Sequence, residues 1–214
     1  MSCLLIFVKF NDKVNAIMQS KKQGYLDFFK TVGKSKRLPR TGWVREKIKN
    51  PESAAEHSFR VGVIAMTLAD KLEVSKDKLM KMALIHDLSA ALTEDMVWIR
   101  WGVVDLKARE KKETEEIKGI VSLFSDIEGG REYIRIFEEM ILRSSKEAKI
   151  FWQIDKLEMA LQALEYEQEQ EKNLDEFFAT ADLYIKHPVL REMFEEILSQ
   201  RENKKGAILN YESS

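Results

Sequence analysis

The stretch Pro51-Glu52-Ser53-Ala54-Ala55-Glu56-His57-Ser58-Phe59-Arg60-Val61-Gly62-Val63-Ile64-Ala65-Met66-Thr67-Leu68 decides the fold. Pro51 closes a loop, Ser53 is placed to cap a helix, and Glu56 three residues later completes a capping box. His57 therefore falls in or just past a first helical turn. Val61, Ile64 and Leu68 follow it at i+4, i+7 and i+11, an apolar stripe that opens on an imidazole.

The same helical period continues in both directions. A second helix is expected from about Lys76 to Leu92, with Leu79, Ala83, His86 and Ala90 on one face and Asp87 on the stripe of Met80 and Leu84. Ser144-Ser145-Lys146-Glu147 reads as another capping box, opening the longest helix, to about Gln170, with Ala148, Trp152, Asp155 and Met159 on one face. Further helices are expected near 12–20, 25–32, 107–124, 130–142, 174–182 and 188–200. Only 9 Gly and 3 Pro interrupt 214 residues, and strand-type alternation is not sustained, so the fold class is all-α. We expect an N-terminal helical extension over 1–21, one domain over 22–200, and a polar, frayed tail over 201–214.

Composition excludes several functions. With 35 Lys plus Arg against 36 Asp plus Glu, no overall field draws the chain to nucleic acid or an anionic membrane. The apolar start Met1–Val8 meets Lys9 and lacks a basic lead, so no membrane association is expected. Cys3 is the single cysteine, which rules out an internal disulfide and a thiolate zinc site and suits the cytoplasm.

The chemistry lies in the interruptions of the apolar faces. A carboxylate such as Asp155 inside an apolar stripe needs a partner, either a basic side chain or a metal ion. His57 alone reads equally as a hydrogen-bonded core residue. Together, His57, His86, Asp87 and Asp155 form a mixed nitrogen and oxygen ligand set suited to a divalent ion such as Mn, Co, Zn, Fe, Ni or Mg. Four protein ligands on an octahedral ion leave two positions for water or a substrate oxygen, the arrangement metal-assisted hydrolysis requires.

Pro39-Arg40-Thr41-Gly42-Trp43, Pro51 to Ser58, Ala83-Leu84-Ile85-His86-Asp87 and Gln153-Ile154-Asp155-Lys156-Leu157-Glu158-Met159 resemble the HD-domain proteins of the 5′-deoxynucleotidase type, in the family's order of H, then HD, then D. The resemblance implies a single helical HD domain, one divalent metal, a homodimer, and release of phosphate from deoxynucleoside 5′-monophosphates. It makes His57, His86, Asp87 and Asp155 the metal ligands, sets Trp43 and Arg40 beside the nucleotide, and puts Asp95 near the sugar or scissile phosphate. Trp43 has a second reading as a core aromatic. Arg60 is expected either to face a phosphate or to pair with Glu56 on the surface.

One position departs from the pattern. Active relatives carry glutamate three residues after the HD aspartate, where this chain has Ala90. A methyl group accepts no proton, and loss of a positioned base commonly removes about 10²- to 10⁴-fold in rate. Glu94 and Asp95, a turn later, are the candidate catalytic replacements. Two alternatives stand beside the nucleotidase reading: a degenerate protein that binds metal and nucleotide without efficient turnover, and a helical phosphodiesterase or interaction scaffold.

Overall fold

The protein is described by a computed structural model covering residues 24–92, 99–100, 103–104 and 106–212. The expected helix at 12–20, and with it the extension over 1–21, lies outside the described residues. Among the described residues the elements are α1 (Tyr25–Val32), α2 (Thr41–Arg45), α3 (Ala54–Leu68), α4 (Lys76–Ile85), β1 (Ile99–Arg100), β2 (Val103–Val104), α5 (Leu106–Phe124), α6 (Gly130–Leu142), α7 (Lys146–Gln170), α8 (Asp175–Tyr184) and α9 (Pro188–Glu212). The fold class is all-α. Among the described residues it is accompanied by a minimal antiparallel ladder pairing Ile99 with Val104 and Arg100 with Val103, and by an isolated bridge between Pro39 and Ser53.

Capping chemistry fixes the helix starts. Ser53 and Glu56 form the expected reciprocal box, each side chain bonded to the other's backbone amide. The second box is displaced by one residue: Ser145, not Ser144, caps α7 by accepting from the Ala148 amide. Glu147 is then free of that duty and turns to the Ser75 amide and the Lys78 ammonium, joining α7 to the start of α4.

The long helix α7 forms the axis of the core. Its Phe151 and Ile154 join Leu72, Leu79 and Met82 from the α3–α4 region, Phe137 and Met140 from α6, and Phe194 from α9, all at 0% exposure. Close packing of such large side chains supplies most of the stabilisation. The last helix does not stop near Gln200; it continues to Glu212, and Arg201 anchors this extension by pairing with Glu167 and Asp175 and lying 4.0 Å over the Phe178 ring.

The expected helix from Lys76 to Leu92 breaks at its most informative point. Regular α-helix ends at Ile85, His86 caps it, and Leu88–Ala91 continue as a 3₁₀ turn. Leu84, still within the regular helix, is exposed, so the stripe of Met80 and Leu84 is not an inward face. Asp87 is buried by the break itself, which leaves it at φ −106° and ψ 6° and swings it off the helix surface. Packing from α5 holds this turn in place. A Cβ added to Gly119 would come within 2.9 Å of Ser89 Cβ and 3.2 Å of Ser89 Cα, a backbone approach only glycine permits.

Gly119→Ala should therefore cost about 1–3 kcal/mol, as overpacked cores do. Denaturant unfolding checks this, with a lowered midpoint and an unchanged slope expected.

Candidate metal centre

Three helices and one extended segment build the site. His57 sits in the first turn of α3, His86 caps α4, Asp155 lies midway along α7, and Asp87 follows the break. Both imidazoles and Asp155 are almost completely buried. Arg40 is delivered by the strand-like segment before α2, which bridges Pro39 to Ser53 and bonds the Arg40 amide to the Glu52 carbonyl at 3.0 Å.

One nitrogen of each histidine is committed, and this orients the other. His86 Nδ1 donates to the Ala83 carbonyl at 2.8 Å, so its Nε2 points into the site. That Nε2 is buried and makes no hydrogen bond, yet it lies 3.1 Å from Asp87 Oδ2 and 3.8 Å from Asp155 Oδ1. A lone pair and anionic oxygens at such distances repel unless a proton or metal ion lies between them. His57 Nδ1 donates to Glu158, while His57 Nε2 stands 3.1 Å from Asp155 Oδ1. The His57, His86 and Asp155 ligand atoms all lie within 4.8 Å of one another. This donor set, with carboxylate Glu158 and carbonyl Ala83 behind the two rings, fits a divalent cation.

The electrostatics follow from these contacts. Burial and the Arg40 guanidinium work against a charged His57, but Glu158 and the bonds to Asp155 and Glu158 outweigh them and push its pKa up to about 10. Burial alone would raise Asp87, yet Arg40 and His86 hold it well below the usual carboxylate range. Lys156, 2.7 Å from Asp155, does the same for that group together with both imidazoles. The remaining ionic pairing belongs to the protein: Arg40 with Asp87, Lys156 with Asp155.

The sequence candidates divide accordingly. His57, His86, Asp87 and Asp155 meet, with Asp87 beside the compact triple and held by Arg40. Arg40 lines a narrow hollow of about 60 Å³ over His86, Asp87 and Asp155, shared with Lys156 and with Glu113 and Glu116 of α5. Trp43 does not line it. Its ring is 2% exposed, stacked on Phe177 at 4.2 Å and edge-on to Tyr166, with Nε1 donating to Glu52, so Trp43 is placed as a core aromatic. Arg60 likewise lies elsewhere: its Nε donates to Glu158, and its terminal nitrogens to Glu165 and Gln162. It lines a separate, open hollow together with Glu52, Glu56, Phe59 and Gln162. Glu94 and Asp95 lie outside the described residues.

Reading the sequence missed Glu158 and Lys156. Glu158 is fully buried between His57 and Arg60, and its signal was available: it stands three residues after Asp155, on the adjoining edge of the same inward face. Glu158→Ala would strand the buried His57 Nδ1 and take one acceptor from the partly buried Arg60, and should cost about 3–5 kcal/mol, as loss of one partner of a buried ion pair does. Thermal and denaturant unfolding measure that cost, and Glu158→Gln, which keeps an acceptor oxygen, should recover part of it.

Comparison with known proteins identifies the family. The HD domain family model matches residues 32–198. A zebrafish protein named 5′-deoxynucleotidase HDDC2 is 35% identical over 180 residues, covering 82% of this chain and 87% of its own. Its human counterpart of the same name is 33% identical over 178 residues, covering 82% and 85%. Among solved structures, a conserved hypothetical protein from Pyrococcus furiosus superposes with TM-score 0.66 at 35% identity, covering 81% of this chain and 99% of that one. The PH0347 protein from Pyrococcus horikoshii gives 0.64 at 36%, covering 82% and 96%. With the family model matching residues 32–198 and relatives of up to 35% identity covering more than four-fifths of it, the chain belongs to the HD domain family.

Proposed function

We propose that this protein is a divalent-metal-dependent phosphohydrolase that releases phosphate from (deoxy)nucleoside 5′-monophosphates. The observation that carries the reading is the buried His86 Nε2, without a hydrogen bond and aimed at the same point as His57 Nε2 and Asp155 Oδ1. His57, His86, Asp87 and Asp155 would hold one ion. Such an ion supplies Lewis-acid polarisation of a phosphoryl oxygen and an acidified water. The substrate class is supported by the relatives named 5′-deoxynucleotidase that cover more than four-fifths of the chain.

The surrounding side chains suit a phosphate. Arg40, Arg143 and Lys156 bring three cations to one hollow, and a guanidinium is shaped to bond two oxygens of a phosphoryl group at once. The hollow holds about two waters' worth of space, so it takes the phosphoryl group while the nucleoside lies at its mouth. Half-buried Trp152 lines the same hollow and offers an apolar surface for the nucleoside, with buried Met140 and Ile141 behind it. Trp43 serves indirectly, since its bond to Glu52 steadies the segment that carries Arg40.

The protein acts as a homodimer in the cytoplasm on this reading. Phe59, Val63 and Met66, at i, i+4 and i+7 on the outer face of α3, are 72%, 39% and 42% exposed and form an apolar stripe that a second copy would cover. No helix among the described residues is long and apolar enough to cross a membrane.

Purified protein incubated with Mn or Co and a panel of deoxynucleoside and nucleoside 5′-monophosphates should release inorganic phosphate, and His86→Ala should release none. Equal background from both proteins would reject the proposal. Arg40→Ala should lower kcat/KM by about 10- to 100-fold, the equivalent of one charge-assisted hydrogen bond. Light scattering on the eluting peak, with Phe59→Asp as the comparison, reads the dimer.

A further inference from the structure

We infer that Arg143, at the junction of α6 and α7, grips the outward oxygens of the substrate's phosphoryl group and selects a phosphate monoester by its charge. The assignment rests on the phosphohydrolase reading above and names how that site recognises its substrate.

The backbone supplies the first observation. Arg143 caps the C-terminus of α6 in the left-handed region, at φ 50° and ψ 37°, with its amide donating to the Met140 carbonyl at 3.2 Å. Glycine is the usual occupant of such a cap because it has no Cβ to strain. An arginine held in that conformation points to a use for its side chain.

The side chain is steadied by aromatic rings. Its guanidinium carbon lies 5.5 Å from the centre of the Trp152 ring and 5.6 Å from that of Tyr184, the last residue of α8. Trp152 is itself fixed, since its Nε1 donates at 2.8 Å to the same Met140 carbonyl that receives the Arg143 amide. Ring contacts of this kind orient a cation without neutralising it, and they leave its forked N–H donors for an anion. Among the described residues, no carboxylate forms an ion pair with Arg143.

The charges around the hollow make that cation decisive. Half-buried Arg143 stands at its edge, between Trp152 of the lining and Tyr184. The other two cations are each matched by a carboxylate, Arg40 by Asp87 and Lys156 by Asp155. Glu113 and Glu116 line the hollow as well, and their charge opposes an entering anion. A monoester carries up to two negative charges, a diester one and a nucleoside none. The planar guanidinium of Arg143 favours the first, because it bonds two phosphoryl oxygens at once and brings a charge not already balanced by an acid.

The test uses the full chain loaded with Mn, assayed with a deoxynucleoside 5′-monophosphate and titrated calorimetrically with inorganic phosphate. R143Q should raise KM and the phosphate Kd together by about 10- to 100-fold, the equivalent of one charge-assisted hydrogen bond, with kcat and the metal content per chain near those of the unmodified protein. R143K, which keeps the charge but not the fork, should recover part of the affinity. R143G suits the left-handed backbone, so it should unfold near the unmodified midpoint and yet bind phosphate as weakly as R143Q. A purely structural cap would give the reverse, with phosphate binding retained in both variants and the midpoint of R143Q lowered. Unchanged KM and phosphate Kd in R143Q overturn this assignment alone. An unmodified protein that binds phosphate through Arg143 but releases none from any monophosphate overturns the hydrolase reading alone, and one that neither binds nor releases phosphate overturns both.

Discussion

Everything in this molecule is arranged around the expense of burying charge. Asp87, Asp155 and Glu158 sit in the interior of a helical bundle beside two imidazoles, a grouping that would be strongly unfavourable without compensation. Compensation comes in layers. Glu158 is shared between His57 and Arg60, Asp155 between His57 and Lys156, and Asp87 between Arg40 and His86. Among the described residues of this cluster, His86 Nε2 is the buried nitrogen that makes no hydrogen bond, and it faces the anionic oxygens of Asp87 and Asp155.

The geometry that makes this possible is ordinary helix packing interrupted at one point. Helices α3 and α7 bring His57 against Asp155 and Glu158, and the rings of His57, His86 and Phe151 follow one another edge to face at 5.3 and 5.2 Å. Had α4 continued past His86, Asp87 would have faced the exposed side of Leu84. The close approach of α5 at Gly119 keeps the chain turning instead, and the carboxylate enters the site.

Much of this was legible from residue patterns because it depends on local rules. The Ser53 capping box, the limits of α1 and α6, and the inward faces carrying His57 and Asp155 all follow from hydrogen-bonding chemistry within four residues or from the helical period. What escaped is set by distant neighbours. No glycine or proline announces the end of α4, since the break is imposed by a helix some thirty residues further on. Trp43 carried an even choice between nucleotide and core, and only the placement of Phe177 and Tyr166 against it decides for the core. Arg60 offered Glu56 as a sequence neighbour, yet its partners come from about one hundred positions away on α7.

The distance along the chain between His57 and Asp155 has its own implication. Residues that close a loop of nearly a hundred positions meet only after the intervening helices have found their places, because the entropy of loop closure is lost before such contacts form. A cation seated between them would bind the assembled bundle and not the open chain, fastening α3, α4 and α7 together like a clasp. By mass action it would add about 2.7 kcal/mol of resistance to unfolding when present at a hundred times its dissociation constant. The ion would then be as much a part of the architecture as of the chemistry, and metal supply would govern how long the folded protein endures.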